Sequence, residues 1–458
     1  MVHLAKYING GIIMQGETYS NQIKSILENS IDELYQKPEL YAKNPGKDFI
    51  RNRKLGFKDL IKFLIGMGGN TINKEIYDYF RTPDNIMTCS AFIQQRNKLK
   101  PEALKYLFDS FNLKCEDKAT YEGYHLYAVD GSDINIAYNE NSETHCNWMK
   151  ESIGIKGFNQ FHLNAMYDVL NKVYVDCLIQ ARPKVNERAA AIDMAKRINT
   201  EKPAIIIADR GYESLNLFET INRINNLEYL IRIKNSGWLK EIDNLPLKQL
   251  DKEISFQLRT TQTKKDKKLF AEGKAKWIAG PSKSGKEKKD VQWMFESPFN
   301  MTLRVVRFEI GDGNWETIIT SLNRFQFPLE KIKELYHLRW GIETSFRELK
   351  YVVGLTNFHC KKEEFVIQEI YARLIMYNFS MCIAKQVVIN KSDSCRYKYQ
   401  VNYTMAIHLC KDFYRDKMDC DVVLEDLILQ YIEPIREGRS DMRKLKPKTF
   451  IYFLYRVA

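Results

Sequence analysis

From residue 124 onward the chain spells a series of extended segments that only a mixed sheet can accommodate. YHLYAVDGSDINIAY, FHLNAMYDVL and KVYVDCLIQAR read as three strands, the last two joined by a hairpin-like connection at Asn171-Lys172. Asn186 to Asn199 reads as a helix, AIIIADRGYES as a short, wholly apolar strand entering a polar loop, SLNLFETINRINN as a second helix and EYLIRIKN as another buried strand. Three strands in a meander followed by alternating helices and strands predict a mixed sheet covered by helices.

The rest of the chain is organised around that block. Residues 1–120 read as a helical region: GFKDLIKFLIGMGG, NKEIYDYF and SAFIQQRNKLKPEALKYLFDSFN carry apolar residues near the 3.6 period, with breaks at Gly68-Gly69 and Thr82-Pro83-Asp84. The sheet block occupies 121–235. Residues 236–325 contain short alternating segments (SFQLRTTQ, KWIAG, QWMFE, LRVVRFEI, WETIITSL) and read as an all-β insertion. Residues 326–360 return to helix, and 361–458 read as a helical C-terminal region with a basic, aromatic tail. The strand order is that of a ribonuclease-H-like fold, although the pattern alone leaves other α/β folds open.

Charge narrows the partner. Lys and Arg number 70 against 58 Asp and Glu, a formal excess of +12 that favours a polyanion, nucleic acid before a membrane surface. Between Arg259 and Asp290 eleven Lys and Arg face four Asp and Glu, either a solvated loop or a phosphate-contacting one. The stretch Val366 to Asn390 carries Glu369, Arg373 and Lys385 and reads as a packed helix, not a membrane span. Nine scattered cysteines with no C-x-x-C pair indicate neither a zinc site nor a disulfide framework, and fit reduced thiols in a cytosolic compartment.

The chemistry concentrates in LYHLRWGIETSFRELK, residues 335–350. At about 100° per residue, Arg339, Trp340, Glu343, Arg347 and Lys350 fall within about 60° of Tyr336, opposite Leu335, Leu338, Ile342 and Leu349. One face is oily. The other gathers one carboxylate, three cations and two aromatics, which suits stacking and phosphate contact, although i, i+4 pairing on a solvated helix gives the same spacing. Asp130 closes the first strand and Asp209 closes AIIIA, so rigid supports deliver both carboxylates; a strand-end Asp is also a common turn former. With Glu343 they make three hard oxygen donors suited to Mg²⁺ or Mn²⁺, two ions of which can drive in-line phosphoryl transfer. Asp133 is a rival for the first position. Gln94, Arg96 and Lys98 in QQRNKLK offer base-edge and phosphate donors on one helix, or simply form an amphipathic helix.

Asp130, Asp209 and the string Tyr336-x2-Arg339-x3-Glu343-x6-Lys350 resemble the DDE triad and Y-R-E-K signature of the insertion-sequence transposases of the IS-four family. FIRNRKLGFKDLIKFLIGMGGNTINKEIYDYF, IGIKGFNQFHLNAMYDVL and DRGYES also look like that family. The resemblance implies a ribonuclease-H-like catalytic core interrupted by a β domain between Asp209 and Glu343. It implies cut-and-paste transposition: cleavage at terminal inverted repeats and joining of 3′-hydroxyl ends to target DNA, by a homodimer in a synaptic complex on double-stranded DNA. The site of action it implies is the bacterial cytoplasm, at the nucleoid. Asp130, Asp209 and Glu343 would bind two Mg²⁺ or Mn²⁺ ions, Tyr336, Arg339 and Lys350 would grip phosphates, and Trp340 would pack on end DNA. Related enzymes use a tryptophan of the insertion to receive a flipped base; Trp315 is the candidate here, with a structural core role as the alternative. A non-catalytic DNA-binding relative, or a nuclease of the same fold lacking strand transfer, are the rival readings.

Overall fold

The computed structural model describes residues 18–455 apart from 52, 82–85, 116–118, 148–156, 200, 282–291, 312, 390–396, 420–421 and 436–453. The Thr82-Pro83-Asp84 break, most of the C-terminal tail and part of IGIKGFNQ therefore lie outside the described residues.

The five expected strands form, with one short strand that was not expected, β2 (His145–Cys146). The five are β1 (His125–Ile136), β3 (Phe158–Asp168), β4 (Val173–Ala181), β5 (Ala204–Ala208) and β6 (Leu227–Ile233). β1 pairs antiparallel with β3, and β3 with β4; β5 runs parallel to β1, and β6 parallel to β5. Side chains alternate between the two faces of this sheet. Tyr127, Val129, Ile206 and Ala208 meet the helices Glu187–Ala195 and Leu215–Asn222 through Ala191, Ile192, Leu217 and Phe218. Leu126, Ile205, Ile207 and Leu230 face the other way, onto Ile332, Leu335 and Tyr336. Every residue of β5 is buried, as a parallel strand covered on both faces requires. Asn186 and Ser214 start the two helices by accepting from Ala189 N–H and Leu217 N–H.

The 236–325 segment departs from expectation. Its strands β7 (Leu250–Arg259), β8 (Ala275–Trp277), β9 (Phe299–Gly311) and β10 (Asn314–Thr320) do not stand apart. They continue the same sheet, in the order β6-β10-β9-β7-β8, with β10 antiparallel to β6. The segment is not all-β either: Lys264–Ala271 is a helix with a Thr263–Asp266 capping box, because the lysine run there is a good helix former.

The helices Tyr19–Tyr35, Phe57–Gly66, Ile72–Phe80, Cys89–Arg96 and Glu102–Lys114 share one apolar core with the long helix Glu363–Ala384. A buried ionic network locks the two together. Arg96 donates from Nη1 to Glu369 Oε1 at 2.8 Å and from Nε to Gln368 Oε1 at 2.8 Å. Glu369 also takes His359 Nδ1 at 3.1 Å. Among the described residues no helix is long and apolar enough to cross a membrane.

Candidate active site

Asp130 lies within β1, not at its end, since pairing with β3 continues to Ile136. It is β5 that stops: the last parallel pair is Val129 with Ala208, so Asp130 and Asp209 emerge side by side at the carboxyl edge of adjacent strands. That edge is where open α/β sheets bind ligands. Backbone amides fix both carboxylates: Gly131 N–H donates to Asp130 Oδ1 and Gly211 N–H to Asp209 Oδ1, each at 2.8 Å.

Glu343 arrives from the opposite layer. The expected single helix over 335–350 is broken: Leu329–Leu338 and Trp340–Glu348 meet at Arg339, and Leu349–Val353 winds as a π turn. The second helix packs against β1 and brings Glu343 toward Asp130. Burial pushes the Asp130 carboxyl up to about 6, and the negative charges of Asp209 and Glu343 push the same way against the Gly131 N–H and Arg339. The three carboxylates therefore share one electrostatic environment. Arg339 Nη1 donates to Glu343 Oε1 at 2.9 Å, and its guanidinium lies 5.1 Å from the Trp340 ring centre and 5.6 Å from that of Tyr336.

Arg339 keeps helical backbone angles, and the helix face packed on the sheet takes in part of the expected DNA-facing stripe. Tyr336 and Arg339 are turned inward and buried, Tyr336 into the apolar layer beneath β1 and β5. Trp340 stays 49% exposed and Arg347 is exposed. Lys350 is half-buried and its Nζ donates to Asp133 O at 2.9 Å. Trp315 is half-buried at the start of β10, beside Glu309 of β9 and at the same sheet edge as Asp209. Gln94 is exposed, and Lys98 Nζ donates to Gln95 Oε1 at 2.6 Å. Arg96 is a correction: it is 1% exposed, with its donors spent on Glu369, Gln368 and Phe365 O, so it cannot reach DNA.

A second cluster adjoins the first. Asp133, the rival first carboxylate, is instead occupied by His162 Nδ1 at 2.6 Å and Arg182 Nε at 3.1 Å. His162 Nε2 lies 3.1 Å from Glu187 Oε1. Burial acts to lower the His162 pKa, but the hydrogen bonds to Asp133 and Glu187 outweigh it and raise it. The hydrogen bond from His162 in turn holds the Glu187 carboxyl below its usual range. Neither His162 nor Glu187 stands out in the sequence; the only signal was β1–β3 register, which sets His162 opposite Asp133.

Among the described residues no three His, Cys, Asp or Glu side chains already stand in metal-holding geometry. The donors nevertheless fit a hard divalent cation: clustered carboxylate oxygens, one with a raised pKa, and the buried Tyr212 hydroxyl with no hydrogen-bond partner.

The transposase DDE domain family matches residues 121–379, more than half of the chain. No curated protein matches it. Among solved structures, a cryo-EM structure of a piggyBac transposase synaptic complex with hairpin DNA is similar at a TM-score of 0.43 and 10% identity, over 92% of this chain and 84% of that one.

Proposed function

The chain belongs to the transposase DDE domain family, and from that premise we propose that it is a cut-and-paste DNA transposase of the IS-four, Y-R-E-K type. The observation that carries this reading is the meeting of Asp130 and Asp209 at one sheet edge with Glu343 acting on Asp130 from the facing helix. The order β4-β3-β1-β5-β6, antiparallel then parallel, supports a ribonuclease-H-like core. Asp130, Asp209 and Glu343 hold two Mg²⁺ or Mn²⁺ ions. Those ions, when bound, neutralise the phosphate and activate the attacking oxygen.

The chain's own residues do the positioning. Trp340 and Arg347, exposed on the helix that carries Glu343, offer a stacking surface and a phosphate contact on double-stranded transposon ends. Arg339 sits beside Glu343, where it can neutralise a phosphate held between them. Lys350 fastens the Glu343 helix to β1 at Asp133 O, which keeps Glu343 in register with Asp130. Trp315 is placed at the same edge to receive an unstacked base. The working unit is a homodimer pairing two ends, acting on nucleoid DNA in the cytoplasm.

The test is cleavage of duplex DNA bearing the inverted repeats that flank the gene, with Mg²⁺. The expected result is strand cleavage and joining of the 3′-hydroxyl end to target DNA, with Glu343→Gln retaining binding and losing both steps. Binding without cleavage by the unaltered chain would establish the non-catalytic reading; cleavage without joining would establish the nuclease.

A further inference from the structure

Glu187 opens the helix Glu187–Ala195, and that helix packs on the same face of the sheet as the Asp209 turn. Its two carboxylate oxygens face different ways. Oε1 is taken by His162 Nε2 at 3.1 Å. Oε2 faces the Asp209 turn: a β-carbon placed on Gly211 would stand 3.0 Å from Asp209 Oδ1 and 3.8 Å from Glu187 Oε2. Both oxygens thus border one small space that only a glycine leaves open. On the other side, a β-carbon on Gly131 would stand 2.9 Å from Glu187 Oε1 and collide with the His162 ring. Arg188 closes the arrangement by donating from Nε to Gly211 O at 2.9 Å, so helix and turn move as one.

Glu187 Oε2 and Asp209 Oδ1 thus both lie beside Gly211. A second, independent feature points into the same place. Tyr212 is 1% exposed and its hydroxyl has no hydrogen-bond partner, while the charges of Asp130, Glu187 and Asp209 all act on it. A buried hydroxyl is normally paired, and leaving it unpaired costs about 1–3 kcal/mol. Water bound to a cation between Asp130, Asp209 and Glu187 would supply its missing partner.

We propose that Glu187 is a fourth carboxylate of the divalent-cation site, oriented by His162, with the Tyr212 hydroxyl bonding to cation-bound water. This rests on the reading of Asp130, Asp209 and Glu343 as the cation triad. Glu187 Oε1 lies 3.1 Å from His162 Nε2, on the side away from the cation, where the ring can hold the carboxylate in place. Glu187 sits in the chain between Asp130 and Asp209.

The experiment is Mn²⁺ titration of the full chain without DNA, read by the electron paramagnetic resonance signal of free Mn²⁺, with thermal unfolding in EDTA measured in parallel. Glu187→Gln is expected to weaken binding about 10- to 100-fold. Tyr212→Phe, which removes only the unpaired hydroxyl, is expected to weaken it by a smaller factor without lowering the melt in EDTA. If Glu187→Gln fails to fold, Glu187→Asp shortens the reach while keeping the charge, and must also weaken binding. Wild-type affinity in the folded Glu187 variant, while Asp130→Asn loses binding, overturns the role of Glu187 and leaves the triad standing. Binding by Asp130→Asn equal to that of the unaltered chain, or no binding by the unaltered chain, overturns the triad and the proposal with it.

Discussion

Asp130→Asn should make the cation-free protein more stable, not less. Folding raises the Asp130 carboxyl from 3.8 to about 6, because burial and the charges of Asp209 and Glu343 oppose its ionised form. Each pKa unit corresponds to about 1.36 kcal/mol, so carrying the ionised group costs the folded state about 2–3 kcal/mol at neutral pH. The sign follows from the raised value. Below the unfolded pKa, near 4, both states hold the proton and no penalty exists. Between about pH 4 and 6 the unfolded chain releases its proton while the folded chain keeps it, and the penalty grows. Above pH 6 it is constant. Asparagine never ionises, keeps an oxygen for the Gly131 N–H and escapes the penalty. Urea unfolding in EDTA should therefore give Asp130→Asn a higher midpoint at pH 7.5 with an unchanged slope, and a midpoint equal to that of the unaltered protein near pH 4. Mg²⁺ should stabilise the unaltered protein and leave the variant where it was. A variant less stable at pH 7.5, or a gain of the same size at both pH values, would refute the placement of a charged, crowded carboxylate at this position.

Three further outcomes follow from the same geometry. Glu369→Gln should destabilise the chain by about 3–5 kcal/mol in urea unfolding, because it strands the buried Arg96 guanidinium; the Glu369 carboxyl is held below its usual range, so the stability it lends is present above about pH 4.3 and is lost as pH falls below that, narrowing the gap between variant and parent. Gly131→Ala should cost about 1–3 kcal/mol in thermal unfolding, since its β-carbon meets the His162 ring and Glu187, and DNA cleavage should fall with it. Trp340→Ala should change stability by less than about 0.5 kcal/mol, as the ring is half in solvent, yet weaken duplex binding in a gel-shift assay by about 1–3 kcal/mol if the indole stacks on bases.

Much of the sheet was legible because its constraints are local. The apolar run that opens β1 and the wholly apolar β5 follow from cover on both faces, and Asp209, directly after β5, emerges at the sheet edge; Asp130 ends the apolar run of β1 and stands beside Asp209 because β5 stops there. What failed depended on distant partners. Arg96 looks like a surface cation until Glu369 is brought against it by helix packing. His162 looks like a core group until β1–β3 register sets it opposite Asp133. Helical spacing over 335–350 does not say which side meets the sheet: the packed face includes Tyr336 and Arg339 and leaves Trp340 and Arg347 outside. Four of the five 236–325 segments read as strands do pair, whereas QWMFE (Gln292–Glu296) is not a strand, and nothing local says that β10 returns to pair with β6.

The acidic edge has an electrostatic logic. Asp130, Asp209 and Glu343, from β1, the β5 turn and a helix, are drawn toward one edge of the sheet, where burial and the neighbouring negative charges oppose ionisation of Asp130. Arg339 is 5% exposed, between the Tyr336 and Trp340 rings, donating to Glu343 one turn on and acting on Asp130. Its guanidinium carries one charge, and its Nε has no hydrogen-bond partner. So it compensates the cluster only in part, and Asp130 keeps its raised pKa despite it. His162 plays the corresponding part for Glu187 and Asp133 on the far side. Arg339 and His162 thus flank the acidic edge beside its outer members, Glu343 and Glu187. Asp130, with only one backbone amide and a distant arginine in support, is the member with most to gain from a mobile divalent ion.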